Sequence, residues 1–162
     1  MYTFEYVFGI SQESNYRAGT ENVASIVGLG KAIQTAIENL HKQKLIRDKR
    51  NNLIRLLLSI GGINLNGSYD KRIANNVNVC IEDCDAEMLL MYLDTRGICA
   101  SSGSACHTSS LEPSQTLKAI GLSDKQAFES IRFSLSEDVT DEEINYIADS
   151  VHMGVARLRG DL

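Results

Sequence analysis

The chain of 162 residues has the length of a single domain with a substantial core, and 43% of its residues are hydrophobic. Its formal net charge of −5 at pH 7 argues against nucleic acid as a partner. No stretch of the sequence is long and apolar enough to predict a membrane span, and the N-terminus lacks the basic-then-apolar pattern of a secretion signal.

The first part of the chain predicts a long helix. Gly19 permits a tight turn, and Thr20 can cap the start of a helix. Apolar residues then recur at spacings of three and four over residues 23–57, with a gap near residues 41–44. We therefore expect a spine helix over residues 20–60 with a kink or break at that gap, of the kind that joins two layers or two domains.

After two consecutive glycines the apolar period changes to two, which predicts strands instead of a helix. Strands are predicted at residues 63–65, 77–81 and 131–135, the last two half-buried. Helices are predicted where capping residues precede apolar stripes, namely after residues 83–85 (DCD), from Pro113 as a first helical residue, after Ser123 and after Thr140. Met88 and Met91 in the first of these are interpreted as core filler. The pattern predicts an α/β or α+β sandwich with helices packed on one sheet.

The cysteines do not predict a disulfide framework or a metal site. No secretion signal accompanies them, so a reducing cytoplasm is the expected setting. One pair is closely spaced, but no matched second pair follows it, and we predict no structural metal. The four positions are Cys80, Cys84, Cys99 and Cys106.

Cys106 lies in the stretch that dominates the interpretation of function. Residues 101–113 surround it with small and hydroxyl-bearing side chains and show no hydrophobic pattern, which predicts an exposed, movable loop. The residues alone leave two interpretations open. Either the loop carries a thiol that travels to its chemistry, or it is a serine-rich loop whose cysteine is incidental.

Arg132 is the second candidate residue. If Ile131 and Phe133 face the core, Arg132 points to the other face of the same strand. A guanidinium held on a strand is a rigid two-pronged donor suited to a carboxylate or a phosphate. The alternative from the residues alone is a solvated surface arginine.

Several motifs resemble one enzyme family. Residues 101–106 (SSGSAC), 110–114 (SLEPS) and 130–135 (SIRFSL) are similar to the C-terminal part of a NifS-like cysteine desulfurase. Residues 17–23 (RAGTENV) resemble the family's Arg-Ser-Gly-Thr-Glu-Asn segment. The order and spacing agree over about residues 12–160.

The resemblance implies a specific chemistry. The family consists of homodimeric, pyridoxal-phosphate-dependent enzymes of the class V aminotransferase fold, which take sulfur from L-cysteine, leave alanine and carry the sulfur as a cysteine persulfide. Cys106 matches the nucleophile, Arg132 the arginine that holds the substrate carboxylate, and Thr20 the threonine that reaches the cofactor phosphate of the other subunit. The long serine-rich loop resembles the subgroup that supplies iron–sulfur scaffold proteins. His107 stands where the family often has threonine or another small residue, and an imidazolium there would lower the pKa of the thiol.

The resemblance also implies a division of the chain. Residues 1–19 correspond to the end of a large cofactor-binding domain, residues 20–60 to the spine helix, and residues 61–162 to a small C-terminal domain that carries the cysteine loop 101–112. The family's cofactor lysine, its ring-stacking histidine and its pyridine-binding aspartate belong to the larger domain, and no lysine here falls at the matching position. We therefore expect a C-terminal portion that neither binds pyridoxal phosphate nor desulfurates L-cysteine alone.

Two other hypotheses remain open from the sequence. The chain is compatible with a non-enzymatic persulfide carrier or partner module that accepts sulfur on Cys106, and with a degenerate remnant that retains only dimerising helices. An aminotransferase is disfavoured because that chemistry has no need of a thiol loop.

Overall fold

The computed structural model describes residues 11–12, 17–102 and 112–161. The chain divides into two compact units, residues 1–40 and residues 41–162. The division predicted from the resemblance, with boundaries after residues 19 and 60, remains a prediction. No helix among the described residues is both long and apolar enough to cross a lipid bilayer.

The first unit contains one short ladder and one helix. Strand β1 (Ser11–Gln12) pairs antiparallel with β2 (Arg17–Ala18), and helix α1 (Val23–Glu38) follows. Every residue of α1 is exposed.

The N-terminal cap of α1 differs from the prediction. The Asn22 side chain accepts a hydrogen bond from the backbone N–H of Ser25 at 3.1 Å, which satisfies one of the free amides of the first turn. The prediction of Thr20 as the cap was therefore wrong by two residues. Gly19 makes the predicted turn with a φ of +89°, a conformation that favours glycine.

The predicted break in the long helix is confirmed. A 3₁₀ turn, Leu40–Lys42, separates α1 from α2, Gln43–Leu58. The break coincides with a local loss of the apolar stripe, so the two helices carry separate stripes.

The second unit is built on one four-stranded antiparallel sheet. The strand order is β3-β4-β6-β5. The strands are β3 (Ile63–Leu65), β4 (Asn76–Ile81), β5 (Ser101–Ser102) and β6 (Ser130–Ser134). The remaining helices are α3 (Ala86–Asp94), α4 (Gln115–Ala119), α5 (Asp124–Phe128) and α6 (Asp141–Arg159).

One face of this sheet forms the core with α2, α3 and α6. Alternation along the strands directs the apolar side chains to that face, where burial of each large side chain contributes about 1.5–3 kcal/mol. The fully buried members include Leu53, Leu57, Val77, Val79, Leu89, Ile131, Ile144 and Val151. The predicted fold class, helices packed on one small sheet, is confirmed.

Local helix-start signals in the second unit are confirmed at three helices and wrong at one. Asp85, within the predicted residues 83–85, caps α3 by accepting from the backbone N–H groups of Glu87 and Met88. Ser123 and Thr140 each form a capping box with the residue three positions later. Pro113 does not open α4, because Ser114 is the N-cap and the helix begins at Gln115.

The interpretation of two methionines as core filler was wrong. Helix α3 buries Ala86, Leu89 and Leu93 against the core. Met88 and Met91 lie on its opposite face with 51% and 66% of their surface exposed. Their apolar character alone did not identify the buried face of this helix.

Candidate functional site

Arg132 lies on the sheet face opposite the core. Its neighbours Ile131 and Phe133 are buried on the core side, whereas Arg132 is half-buried on the other side, as the alternation predicted. It pairs directly with Asn78 of β4 on one side and with Ser101 of β5 on the other. These three side chains therefore form one row across the sheet, which we call the Arg132 row.

This second sheet face is covered at one end and open at the other. Cys80 and Ser130, which pair across β4 and β6, are 3% and 0% exposed. Helix α5 contacts β4 at this end, and the Ser130 hydroxyl donates to the carbonyl of Gln126 at 2.6 Å. The alternating pattern predicted that this second face of β4 is exposed. The prediction is wrong at Cys80, which is buried, and it agrees better with Asn78, which is half-buried where the face is more open.

A buried amide links the covered end to the Arg132 row. Asn66, which follows β3 and is 8% exposed, donates from Nδ2 to the Ser130 Oγ at 2.9 Å. The same nitrogen donates to Oδ1 of Asn78 at 2.6 Å. Because buried polar groups that satisfy one another rigidify a site, this chain of bonds fixes Asn78 beside Arg132.

The guanidinium of Arg132 differs from other arginines of the fold. Arg50, Arg72 and Arg159 each donate to backbone carbonyls and so serve the structure. Arg132 makes no hydrogen bond or ion pair with any other residue that the structure describes. A half-buried cation with five free donors is suited to bind an anion.

Thr20 lies in the first unit, between the turn at Gly19 and the N-cap Asn22. Its side chain is exposed, and because Asn22 caps the helix, the Thr20 hydroxyl is not used for that purpose. A hydroxyl in this position is able to donate to a phosphate at the start of a helix.

Cys106 and His107 lie outside the described residues. Their segment follows β5, whose Ser101 pairs with Arg132, and it ends before Glu112. The predicted loop 101–112 is therefore described only at its two ends.

The three described cysteines are free, and two of them are poor nucleophiles. Burial raises the pKa of the Cys80 and Cys84 thiols, and nearby carboxylates raise it further. Both thiols therefore stay protonated at neutral pH, and a thiolate is the reactive form. Cys99 is exposed.

The described residues do not fit a complete pyridoxal phosphate site. A lysine that bonds the cofactor aldehyde needs an unprotonated amine in a desolvated pocket. No lysine is buried in the described part of the chain. Lys42 and Lys118 form ion pairs at 2.9 and 2.8 Å, and the hydrogen bond from Lys125 to Asp83 raises the pKa of that lysine. The predicted phosphate contact of Thr20 is therefore not accompanied by a suitable aldehyde-binding lysine in the described part of the chain.

Metal binding finds no support in the ranges 11–12, 17–102 and 112–161. No group of three or more histidine, cysteine or acidic side chains there is arranged to hold an ion.

Sequence reasoning missed Asn66 and Asn78. The signal was present, because asparagines alternate with core residues at 64 in β3, at 66 directly after it, and at 76 and 78 in β4. An amide is a costly choice on a partly covered face unless it is hydrogen-bonded. Which asparagine contacts which strand depended on the pairing of distant segments.

Comparison with known proteins places this site in a family context. The chain matches the family described as aminotransferase class V over residues 2–147. It is 42% identical over 155 residues to the cysteine desulfurase IscS of Dictyoglomus turgidum, an alignment that covers 94% of this chain and 39% of that protein. It is 43% identical over 152 residues to the cysteine desulfurase IscS of Methanosarcina thermophila, covering 93% and 38%.

Solved structures agree with these relatives. The fold is similar to that of a NifS-like protein from Rickettsia africae, with a TM-score of 0.80 and 28% identity. That comparison covers 95% of this chain and 40% of the other. The chain thus spans 38% to 40% of the length of these three proteins.

Proposed function

Because the chain belongs to the class V aminotransferase family, we propose that it is the C-terminal portion of a cysteine desulfurase. Such an enzyme takes sulfur from L-cysteine, leaves L-alanine and holds the sulfur as a persulfide on Cys106. The predicted fold, a small α/β domain of the kind found in fold-type I pyridoxal phosphate enzymes, is confirmed by the NifS-like neighbours.

One observation carries the proposal. Ser101 pairs with Arg132, so the segment that contains Cys106 starts on the strand beside a guanidinium that has no partner among the described residues. Cys106 follows Ser102 by only four residues, and a chain of that length spans at most about 14 Å. A carboxylate bound by Arg132 therefore lies within reach of the thiol-bearing segment.

The proposal gives Arg132 and Cys106 complementary roles. Arg132 receives the carboxylate of L-cysteine in a two-pronged contact and orients the substrate. The Cys106 thiolate attacks the substrate sulfur, so that an S–S bond forms as the C–S bond breaks. The electron pair of the broken bond stays on the substrate carbon, which takes up a proton as alanine forms. His107 next to the thiol favours the thiolate when the imidazole is protonated.

The cofactor and the second subunit are part of the same proposal. Enzymes of this family depend on pyridoxal phosphate, which acts as an electron sink when bound. The residues that hold its aldehyde and ring belong to the part of the enzyme outside these 162 residues, and Thr20 contributes a phosphate contact to the other subunit of a homodimer. We expect the 162-residue chain alone to bind no cofactor.

The sulfur acceptor is proposed to be an iron–sulfur scaffold protein. The serine-rich segment around Cys106 supports this, since a thiol on a long arm is suited to delivery to another protein. A reducing compartment such as the cytoplasm suits a persulfide carrier, because free thiols persist there.

A second candidate function, a non-enzymatic persulfide carrier, is favoured by one observation. No described lysine is buried, and none is therefore suited to bind the cofactor aldehyde. Visible absorption after addition of pyridoxal phosphate tests an expectation that both functions share, namely that this chain alone binds no cofactor. A band that shifts on addition of L-cysteine would contradict that expectation, show that this chain builds its own cofactor site and exclude the carrier.

The proposal predicts that Cys106 accepts sulfur from a low-molecular-weight persulfide. Mass spectrometry of the 162-residue chain after exposure to cysteine persulfide should show one added sulfur on Cys106. Cys106→Ala should abolish the addition at this site, and Cys99→Ala is the matched control because it removes an exposed thiol outside the segment. Sulfur that loads only Cys99, or loads the Cys106→Ala chain equally, would refute the role of Cys106.

A further inference from the structure

Asn78 lies directly across from Arg132 in the sheet. The two residues pair in the ladder of β4 and β6, so their side chains project from the same face. Opposed Cβ atoms in an antiparallel pair are about 4.5–5.5 Å apart, which is within reach of a single small ligand. Both side chains are half-buried on the open part of this face.

The orientation of the Asn78 amide follows from a directional chain of hydrogen bonds. The Ser130 hydroxyl donates its only proton to the carbonyl of Gln126 at 2.6 Å. Its oxygen is therefore an acceptor for the Asn66 Nδ2 at 2.9 Å, which identifies the NH₂ end of the Asn66 amide. The second proton of that nitrogen goes to Oδ1 of Asn78 at 2.6 Å.

Asn78 is left with its two N–H donors unused. Its oxygen is engaged by Asn66, and its Nδ2 has no hydrogen-bond partner among the residues that the structure describes. The nitrogen is on the branch of the amide away from Asn66. Asn78 pairs directly with Arg132 of β6, so these donors belong to the side chain across the ladder from the guanidinium.

Two neighbouring donor groups without an acceptor between them define a ligand preference. The guanidinium of Arg132 only donates hydrogen bonds, and the free end of Asn78 also only donates. A ligand that satisfies both needs several acceptor lone pairs. A carboxylate has them, whereas an amide has one oxygen and adds donors of its own.

We propose that Asn78 is a second carboxylate-binding residue beside Arg132, and that Asn66 is the positioning residue that sets its amide. The inference rests on the proposed function, in which Arg132 receives the carboxylate of L-cysteine. It adds a specificity element, since a substrate analogue without the carboxylate leaves two donor groups unpaired.

Nuclear magnetic resonance on the ¹⁵N-labelled 162-residue chain tests the inference. The probe is L-alanine, which has the carboxylate and no thiol, and L-alaninamide is the control ligand. The side-chain N–H signals of Arg132 and Asn78 should both shift with L-alanine and neither with L-alaninamide. Asn78→Ala should raise the dissociation constant about tenfold, as expected for loss of a hydrogen bond to a charged group.

Two further variants separate positioning from folding. Asn66→Ala leaves Asn78 in place but frees its amide to rotate, so a smaller loss of about threefold is expected while the Asn78 signal still shifts. Asn64→Ala is the matched control, because Asn64 lies on the same face and donates to Glu82 at 2.7 Å. It should leave the dissociation constant unchanged.

The outcomes distinguish this inference from the proposed function. If L-alanine shifts the Arg132 signal with equal affinity in the parent chain and in Asn78→Ala, the inference is overturned and the role of Arg132 stands. If L-alanine shifts neither signal in the parent chain, the inference and the carboxylate role of Arg132 are both overturned, while sulfur loading of Cys106 keeps its own test.

Discussion

Burial divides the cysteines of this chain into two chemical groups. Cys80 and Cys84 are 3% and 2% exposed, and removal from water raises the pKa of both thiols. They behave as small apolar side chains, so they are poorly suited to compete with Cys106, the proposed sulfur acceptor. The proposed specificity for one cysteine thus has a physical basis in the burial of two others.

The raised pKa values predict a loss of stability at alkaline pH. Below about pH 8.5, the thiols are protonated in both the folded and the unfolded chain and contribute no pH dependence. Above it, the unfolded chain loses thiol protons that the folded chain keeps. The free energy of unfolding should then fall by up to about 1.4 kcal/mol per pH unit and thiol, until the pH passes the folded pKa.

Urea unfolding measured at several pH values tests whether the free energy of unfolding falls at alkaline pH. A variant with both Cys80→Ala and Cys84→Ala should have a shallower alkaline decline than the parent chain. Cys99→Ala, which removes an exposed thiol, should retain the parent slope. Identical slopes in all three chains would show that buried thiols do not cause the decline.

At the scale of single residues, the sequence predicted which face of the sheet a side chain lies on, but not its hydrogen-bond partners. The orientation of Arg132 followed from the alternation of its strand with Ile131 and Phe133. The bonds from Asn66 to Asn78 and Ser130 were not predictable, because they join residues 12 and 64 positions apart. Such contacts depend on strand order, which no local pattern specifies.

Secondary-structure elements were predicted best where their signals are local. The capping boxes at Ser123 and Thr140 depend on residues three positions apart, and both were confirmed. The buried face of α3 was not predicted, because Met88 and Leu89 are equally apolar and only contact with α6 determines which of them is buried. Tertiary packing therefore determines which of two similarly apolar side chains is buried.

The contact between α3 and α6 depends on a glycine. A Cβ atom at Gly154 of α6 would lie 2.6 Å from Leu89 Cδ1 and 2.7 Å from Tyr92 Cδ1. In an open helix, glycine to alanine is stabilising by about 1 kcal/mol. Here the cost of overpacking, about 1–3 kcal/mol, should exceed that gain, so Gly154→Ala should lower the free energy of unfolding by about 1 kcal/mol, and by at most about 2 kcal/mol.

Chemical denaturation of Gly154→Ala measures this cost, and α1 offers a matched control. Gly30 is also a helical glycine, but its Cβ position has no neighbouring atom within 4 Å. Gly30→Ala should leave the unfolding midpoint of the second unit unchanged and raise helicity. A midpoint of Gly154→Ala equal to or above that of the parent would mean that Leu89 and Tyr92 move aside at a cost no larger than the gain in helix propensity.

For the molecule as a whole, α1 presents an apolar stripe that the sequence predicted and that nothing in the described chain buries. Its exposed apolar residues have between 51% and 66% of their surface accessible. A set of this size on one helix exceeds the scattered apolar side chains of an ordinary surface, and such patches mark sites of association. The exposed members are Val23, Ile26, Val27, Leu29, Ile33 and Ile37.

We therefore predict that the 162-residue chain self-associates through α1. Light scattering should give a mass that is a multiple of 17.9 kDa and rises with concentration. A variant with Ile26→Lys and Ile33→Lys keeps good helix formers on the stripe but charges it, so it should shift to the monomer. Ile73→Lys is the control, because Ile73 is 69% exposed but lies outside α1. A monomeric parent chain, or equal masses for all three, would show that the stripe does not drive association, and the proposed homodimer would then depend on residues outside this chain.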